Sequence, residues 1–129
     1  MAKKKILVVE DEAELTRAIQ IRLEEAGYEV LIAYDGQAAL ENARAENPDL
    51  IVLDLMLPKM DGFKVCRMLK FDENYKKIPV VMLTARAQEK DEDLGYEVGA
   101  DAFITKPFKY RVLLAKIAEL LGDSVSKPL

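Results

Sequence analysis

Five polar residues of types that can do chemistry stand directly after short apolar runs of the sequence. They are Glu10, Asp11, Asp54, Thr84 and Lys106. Asp54 is the most unusual, because it interrupts the apolar run LIVLDLML, and a buried carboxylate without a partner is strongly destabilising. Either the strand ends at Leu53 and Asp54 reaches water, or Asp54 belongs to a polar site built with the other four residues.

The charges of this set indicate which chemistry it could support. Glu10, Asp11 and Asp54 carry three negative charges, and Lys106 returns one positive charge. Unit charges about 4 Å apart interact by about 4 kcal/mol at an effective dielectric of about 20, so a divalent cation would relieve the cluster. Oxygen ligands suit Mg²⁺ better than zinc or a transition metal. With a metal and Lys106 offsetting charge and Thr84 donating a hydrogen bond, Asp54 could attack phosphorus.

Five short apolar runs are predicted to be the strands that position these residues. They are Lys5–Val9, Glu29–Ala33, Leu50–Leu53, Pro79–Leu83 and Ala102–Thr105. Each is rich in Val, Ile and Leu and continuous in hydrophobicity, which is typical of parallel strands covered on both faces.

Helical patterns alternate with the strands. The apolar positions of four of them are Leu15, Ile19, Leu23 and Ala26; Ala39, Leu40 and Ala43; Phe63, Cys66 and Leu69; and Leu113, Ile117 and Leu120. A weaker fourth helix begins in the acidic residues 89–93 and runs toward Gly99. This (βα)₅ order predicts an α/β fold, a doubly wound three-layer sandwich around a parallel five-stranded sheet of order 2-1-3-4-5.

The predicted sheet brings the five polar residues together. Carboxyl ends of parallel strands open on one edge, where doubly wound proteins place their ligands, and the third strand lies beside the first. Asp54 would therefore meet Glu10, Asp11, Thr84 and Lys106 in one shallow cleft. Four strands ending in this way argue against simple solvent exposure of Asp54.

Length and composition narrow the class of protein. A chain of 129 residues suits one domain, predicted as residues 1–122 with a short tail at 123–129. The net charge of −4 gives no general reason to bind nucleic acid or an anionic membrane. We expect a cytoplasmic location, because no apolar run reaches the length of a signal-peptide core or a membrane helix.

Cysteine and histidine usage excludes several chemistries. Cys66 is the only cysteine, so no internal disulfide can form, and we expect a packed structural thiol. The chain has no histidine. That excludes a Ser-His-Asp or Cys-His pair, a histidine-ligated zinc site and a phosphohistidine on this chain.

Four motifs carry a resemblance to a known family. They are ILVVEDE at 6–12, DLIVLDLMLPKMDG at 49–62, VVMLTA at 80–85 and FITKPF at 103–108. In this order and spacing the chain resembles a receiver domain of the bacterial response regulators, over about residues 4–121. Its length is close to the stand-alone chemotaxis type, and the resemblance implies the flavodoxin-like fold.

The resemblance implies a role for each site residue. Asp54 would accept a phosphoryl group from a phosphohistidine on a sensor histidine kinase or phosphotransfer protein. Asp11, Asp54 and the backbone carbonyl of Met56 would bind Mg²⁺ (Mn²⁺ is a possible substitute), with Glu10 reaching the metal largely through water. Thr84 and Lys106 would contact the phosphoryl oxygens, the Lys106–Pro107 bond would be cis, and Phe103 would be the switch aromatic.

The resemblance also implies how the protein works in the cell. It would be a phosphorylation-controlled switch that catalyses its own modification and dephosphorylation, rather than a turnover enzyme. Its fourth helix, fifth strand and fifth helix would bind a downstream protein, without nucleic acid or membrane, as a monomer or a phosphorylation-dependent dimer. The family often has two aspartates where this chain has Glu10-Asp11, and Met56 and Arg86 occupy positions that tune phosphoryl lifetime.

Simpler interpretations remain for single residues. Thr84 could cap the following helix, Lys106 could be a surface charge, and Phe103 could be ordinary core. Met56 and Met60 are interpreted as loop packing. Gly62 and Gly99 are interpreted as turn positions that need a permissive backbone.

Three other functions fit this sequence less well than the switch. An aspartyl-phosphate hydrolase would usually carry a second aspartate two residues after the nucleophile, where this chain has Met56. A flavin-binding electron carrier would need a hydroxyl-rich phosphate loop after the first strand, but Glu10-Asp11-Glu12 would repel a phosphate. A degenerate receiver acting only as a scaffold would not need the complete acidic cluster.

Overall fold

The computed structural model describes residues 3–85, 93, 94 and 96–123. Its five strands form one sheet in the order β2-β1-β3-β4-β5, and every neighbouring pair is parallel. The strands are β1 (Lys5–Val9), β2 (Glu29–Ala33), β3 (Leu50–Asp54), β4 (Val80–Thr84) and β5 (Ala102–Thr105). The predicted strand order is confirmed.

Four helices are described in full. They are α1 (Ala13–Glu25), α2 (Gly36–Glu46), α3 (Gly62–Lys70) and α4 (Tyr110–Leu121). Helix α4 is the last of the five predicted helices. The predicted fourth helix lies partly outside the described residues, and within it residues 93, 94, 96 and 97 have helical backbone. No helix within the described part of the chain is long and apolar enough to cross a membrane.

The sheet separates two apolar cores, because successive strand side chains point to opposite faces. Ile6 and Val8 of β1 pack with the inward residues of α1 and α4, whereas Leu7 and Val9 pack with those of α2 and α3. All four of these side chains are buried. Covering on both faces explains why the strands read as unbroken apolar runs.

Three strand boundaries, in β3 and β4, differ by one residue from those expected. β3 and β4 each include the polar residue that was placed beyond them, Asp54 and Thr84 respectively. β4 begins at Val80 rather than Pro79, and proline has no N–H to donate to a ladder. The Val80 amide instead donates to the carboxylate of Asp101 at 2.8 Å.

Helix ends follow the expected chemistry. Asp35 and Asp61 cap α2 and α3, accepting from the amides of Ala38 at 2.8 Å and Lys64 at 2.9 Å. Left-handed Gly122, with φ of +71°, ends α4 as expected. These caps fix where α2 and α3 begin beside the carboxyl edge of the sheet.

Candidate functional site

The three predicted carboxylates lie together at the carboxyl edge of the sheet. One oxygen from each of Glu10, Asp11 and Asp54 can be chosen so that all three atoms lie within 4.8 Å of one another. Asp11 is exposed, whereas Glu10 and Asp54 are only 1% and 3% exposed. The exposure interpretation of Asp54 is therefore wrong, because β3 continues through Asp54 and carries its side chain into the protein.

Lys106, the residue directly after β5, is in contact with two of the three carboxylates. Its Nζ donates to Glu10 Oε1 at 2.6 Å and lies 3.5 Å from Asp54 Oδ2. Burial acts to lower the pKa of Lys106, but the hydrogen bond to Glu10 and the charges of Asp54 and Glu10 outweigh it, so the pKa is raised. Lys106 is thus a charged member of the site, and the surface-charge alternative is wrong.

Asp54 experiences a net unfavourable environment for its negative charge. Burial, followed by the charge of Glu10, raises the pKa of Asp54 to about 6, against the opposing effect of Lys106. The amide of Met56 lies 3.4 Å from Asp54 Oδ1 and also opposes the rise. The charge of Lys106 therefore does not fully compensate the negative charge of the neighbouring carboxylates, and a further cation would stabilise the cluster.

The loop between β1 and α1 is tied down by a residue that the sequence analysis did not single out. Thr16, which is buried, donates from Oγ1 to the carbonyls of Glu10 at 3.1 Å and Glu12 at 2.9 Å. Glu10 Oε2 in turn accepts from the Glu12 amide at 3.0 Å. Thr16 was missed because a single threonine inside a helical pattern gives no spacing signal.

Thr84 and Phe103 are carried by neighbouring strands β4 and β5. Thr84 is fully buried, and its carbonyl accepts from the Lys106 amide at 2.6 Å. Phe103 is partly buried against the core shared with α2 and α3, and its ring centroid lies 6.4 Å from that of Tyr96. The helix that Thr84 could cap begins outside the residues that the structure describes. Arg86 also lies outside them.

The loop between β3 and α3, residues 55–61, lies next to the acidic cluster. Met56 is 55% exposed beside the carboxylates, so its interpretation as loop packing is wrong, whereas Met60 packs against the core. A cleft of about 540 Å³ opens here, lined by Asp11, Leu55, Met56, Leu57, Pro58, Asp61 and Phe63. The cleft leaves space for a ligand next to the acidic cluster.

The backbone features expected near the site are largely present. The Lys106–Pro107 bond is cis, as the resemblance implies, and Gly99 has a φ of +98°. Gly62 was expected to need a permissive backbone, but it is the first residue of α3. A β-carbon built there would lie 2.5 Å from the Asp54 carbonyl oxygen, so Gly62 is required by close approach rather than by its φ.

The donor set fits a hard divalent cation. Every side-chain ligand candidate is a carboxylate oxygen, and the exposed Asp11 leaves the cluster open to water. A cation such as Mg²⁺, which binds one or two carboxylates and keeps several waters, suits this arrangement. The sequence placed Glu10, Asp11, Asp54, Thr84 and Lys106 in one cleft. The structure brings the three carboxylates and Lys106 together. Thr84 ends the neighbouring strand β4, where its carbonyl accepts from the Lys106 amide.

Comparison with known proteins identifies the family. The family model of the response regulator receiver domain matches residues 6–118. The alkaline phosphatase synthesis transcriptional regulatory protein PhoP of Bacillus subtilis (strain 168) is 48% identical over 121 residues, covering 94% of this chain and 50% of PhoP. The chain spans about half the length of the curated relatives it matches.

Solved structures agree in fold. The chemotaxis response regulator CheY4 of Vibrio cholerae has a TM-score of 0.87 at 32% identity, over 93% of this chain and all of that chain. The receiver domain of sensor histidine kinase PA1611 from Pseudomonas aeruginosa PAO1 has a TM-score of 0.86 at 31% identity, over 95% and 100% of the two chains. That structure holds a magnesium ion in its active-site cleft.

The fold and site define a phosphoacceptor switch of two-component signalling, built around an acidic cluster suited to a divalent metal. The chain belongs to the response regulator receiver domain family. It is a signalling domain rather than a turnover enzyme.

Proposed function

We propose that Asp54 is the phosphoacceptor of this receiver domain and that the donor is a phosphohistidine on a sensor histidine kinase or phosphotransfer protein. The observation that carries this proposal is the burial of Asp54 at the end of β3, with Lys106 Nζ 3.5 Å from Oδ2. Asp54 is buried beside a cation, and it directly precedes Leu55, which lines the open cleft together with Asp11.

The transfer is a displacement at phosphorus. An Asp54 oxygen forms a bond to phosphorus, the phosphorus–nitrogen bond of the donor breaks, and the electron pair leaves with the donor imidazole. Lys106 turns from Glu10 toward a phosphoryl oxygen, and the Thr84 hydroxyl donates to another. The described residues supply positioning and charge, which is the main requirement of phosphoryl transfer.

Mg²⁺ is the proposed cation, with Mn²⁺ as a substitute. Asp11, Asp54 and the Met56 carbonyl would hold it directly, and Glu10 would contribute through water. When bound, it would neutralise the carboxylates and offset charge on the phosphoryl oxygens. The all-oxygen donor set supports this assignment, as does the magnesium in the related PA1611 receiver domain.

Loss of the phosphoryl group is proposed to be self-catalysed by water reaching Asp54. Met56, which is 55% exposed beside Asp54, would influence that access. Arg86, the second predicted tuner, lies outside the described residues.

The output of the switch is proposed to be contact with a downstream protein. The contact surface would consist of β5, α4 and the segment between β4 and β5. A net charge of −4 gives this chain little reason to bind DNA by itself. The name of PhoP places that relative in transcription, so an effect on DNA would belong to a further part of a longer protein. The cytoplasmic location, the domain limits 1–122 and the monomer or phosphorylation-dependent dimer remain predictions.

Intact-mass measurement tests the phosphoacceptor. Incubation with phosphoramidate and Mg²⁺ should add one phosphoryl group to wild type and none to Asp54→Asn, and a chelator should abolish the addition. Asp49→Asn is the matched control, because Asp49 precedes the same strand and accepts from the Lys5 amide at the opposite edge. An unmodified wild type, or a modified Asp54→Asn, would contradict the assignment.

Phe103 is proposed to relay the modification to the partner surface. Thr84 would move toward the phosphoryl group, and the partly buried Phe103 ring would turn into the vacated space, since packed cores have discrete arrangements. Phe103→Ala should accept phosphoryl normally yet show a partner affinity that no longer depends on phosphorylation. If the partner affinity of Phe103→Ala depends on phosphorylation as it does in wild type, the proposed relay is contradicted.

A further inference from the structure

The loop of residues 55–61 is seated against the first turn of helix α2. Gly36 is the first residue of α2 and is buried. A β-carbon built on Gly36 would lie 2.6 Å from the Met60 carbonyl oxygen, 2.7 Å from Met60 Cβ and 2.9 Å from Val65 Cγ2. The first two atoms belong to the loop, and one of them is backbone, so any side chain at Gly36 would displace the loop.

Backbone conformation does not explain this glycine. Gly36 is absent from the positive-φ glycines of the described chain, which are Gly27, Gly99 and Gly122. It lies inside the first turn of a helix, where alanine is intrinsically more favourable than glycine. The space taken by Met60 is therefore the reason that position 36 has no side chain.

The same loop carries the proposed metal ligand at its other end. Its first residue, Leu55, is fixed by its amide, which donates to the Leu83 carbonyl at 2.8 Å, and its carbonyl accepts from Gly62 at 2.9 Å. Between this anchor and the Gly36 seat lies Met56, whose amide is 3.4 Å from Asp54 Oδ1. A displacement at Met60 would be transmitted along four residues to the carbonyl of Met56.

We propose that Gly36 is a positioning residue for the metal site, because its missing side chain lets the loop 55–61 seat on α2 and hold the Met56 carbonyl in place. This inference rests on the proposed function, in which that carbonyl binds Mg²⁺. The seat is made by packing, whereas the ion pair of Lys59 with Asp35, at 3.5 Å and with Lys59 70% exposed, contributes little.

Mg²⁺ affinity, measured by titration calorimetry without a phosphodonor, tests this role. Gly36→Ala should weaken Mg²⁺ binding roughly tenfold, the size expected for a group that orients a ligand. Phosphorylation of Gly36→Ala by phosphoramidate should approach the wild-type rate at saturating Mg²⁺. Lys59→Ala should bind Mg²⁺ like wild type, since the ion pair is not the anchor.

Gly27→Ala is the matched glycine control. Gly27 follows α1 with a φ of +99° and nothing within 4 Å of a β-carbon, so alanine there is strained without touching the loop. It should lower thermal stability and leave Mg²⁺ affinity unchanged. A loss of affinity in Gly27→Ala equal to that in Gly36→Ala would reduce the effect to general destabilisation and overturn the proposal.

A double variant separates the contact of position 36 with the loop from its contact with α3. The double variant Gly36→Ala with Val65→Ala removes the contact to α3 and keeps the backbone contact to Met60. It should bind Mg²⁺ as weakly as the single variant, while Val65→Ala alone should bind like wild type. Restored affinity in the double variant would assign the effect to α3 and overturn the role of the loop.

The outcomes separate this inference from the function on which it rests. If wild type takes up neither Mg²⁺ nor a phosphoryl group, both fail. If wild type binds Mg²⁺ and is modified at Asp54, but Gly36→Ala has wild-type affinity, only the positioning role of Gly36 fails.

Discussion

Asp54, Glu10 and Lys106 illustrate how a buried charge can be tolerated in a parallel sheet. Two carboxylates share one ammonium, with Lys106 2.6 Å from Glu10 and 3.5 Å from Asp54. The closer contact of Lys106 is with Glu10. Burial, followed by the charge of Glu10, raises the pKa of Asp54 against the opposing effect of Lys106. The residue that is proposed to react is thus also the less compensated member of the buried pair.

Cys66 shows the opposite use of burial, as an inert core thiol. It is fully buried on α3, with Sγ 3.7 Å from the Val98 carbonyl oxygen. Burial raises its pKa to about 11, with Lys70 acting to lower it and Asp101 to raise it. The packed structural thiol expected from the sequence is confirmed.

This shifted thiol predicts a pH dependence of stability. Because the folded protein holds the thiol proton more tightly than the unfolded chain, the contribution is complete below pH 9 and is lost as the pH rises from about 9 to about 11. The loss should be on the order of 2 kcal/mol in the free energy of unfolding, measured by denaturant titration across that range.

Cys66→Ala is the control for the alkaline loss. It should cost about 1 kcal/mol below pH 9 through the small cavity it leaves. Because Cys66→Ala has no thiol to titrate, its stability should fall less than that of wild type between pH 9 and 11. Tyr28, with a pKa raised to about 12 mainly by burial and also by Asp123, is present in both proteins. If the free energy of unfolding of wild type and Cys66→Ala falls equally between pH 9 and 11, the thiol is not the source of the alkaline loss.

Helix α1 is the element that holds the acidic loop after β1. Glu12, its N-cap residue, makes no side-chain capping bond. Thr16 instead ties the first turn of α1 back to Glu10 and Glu12 through its hydroxyl. The element therefore depends on one buried side chain to orient the residues that precede it.

Removing that hydroxyl should destabilise the element. Thr16→Val keeps the shape but leaves the Glu10 carbonyl without this donor, and should lower the free energy of unfolding by about 1 to 2 kcal/mol. Thr16→Ser keeps the hydroxyl and should retain most of the stability. Denaturant unfolding in chelator checks both, and equal stability of the Val and Ser variants would show that the hydroxyl bonds contribute little.

At the scale of the whole molecule, the two ends of the described chain are joined at the sheet edge opposite the site. Asp123, the first residue of the predicted tail, pairs with Lys4 Nζ at 2.7 Å and accepts from the Tyr28 hydroxyl at 3.1 Å. Lys4 also donates to the Leu121 carbonyl at 2.9 Å. This contact connects β1, β2 and the end of α4.

Breaking the junction should have a small, salt-dependent effect. Lys4 and Asp123 have side chains 41% and 30% exposed, so Asp123→Ala should cost no more than about 1 kcal/mol, less in high salt. Thermal unfolding at low and high salt measures this cost, with Tyr28→Phe separating the hydroxyl bond from the ion pair. A salt-independent loss would point to packing rather than charge.

The sequence alone predicts most of the strands and most of the candidate site. Continuous apolar runs predicted five parallel strands because both sheet faces are covered. The polar residues that end those runs predicted one cleft containing Glu10, Asp11, Asp54, Thr84 and Lys106, and the three carboxylates and Lys106 do lie together. Asp35 and Asp61 are capping side chains that lie next to the backbone they cap. Such features are local in the chain, or follow from the rule that parallel strands end on one edge.

Tertiary structure decided what depends on distance across the fold. The preference of Lys106 for Glu10 over Asp54, the bonds of Thr16 to the acidic loop, and the exposure of Met56 each require coordinates. The need for glycine at 36 and 62 arises from backbone that other segments bring within 3 Å. No spacing in the sequence records such contacts, because they arise only when separate elements pack against one another.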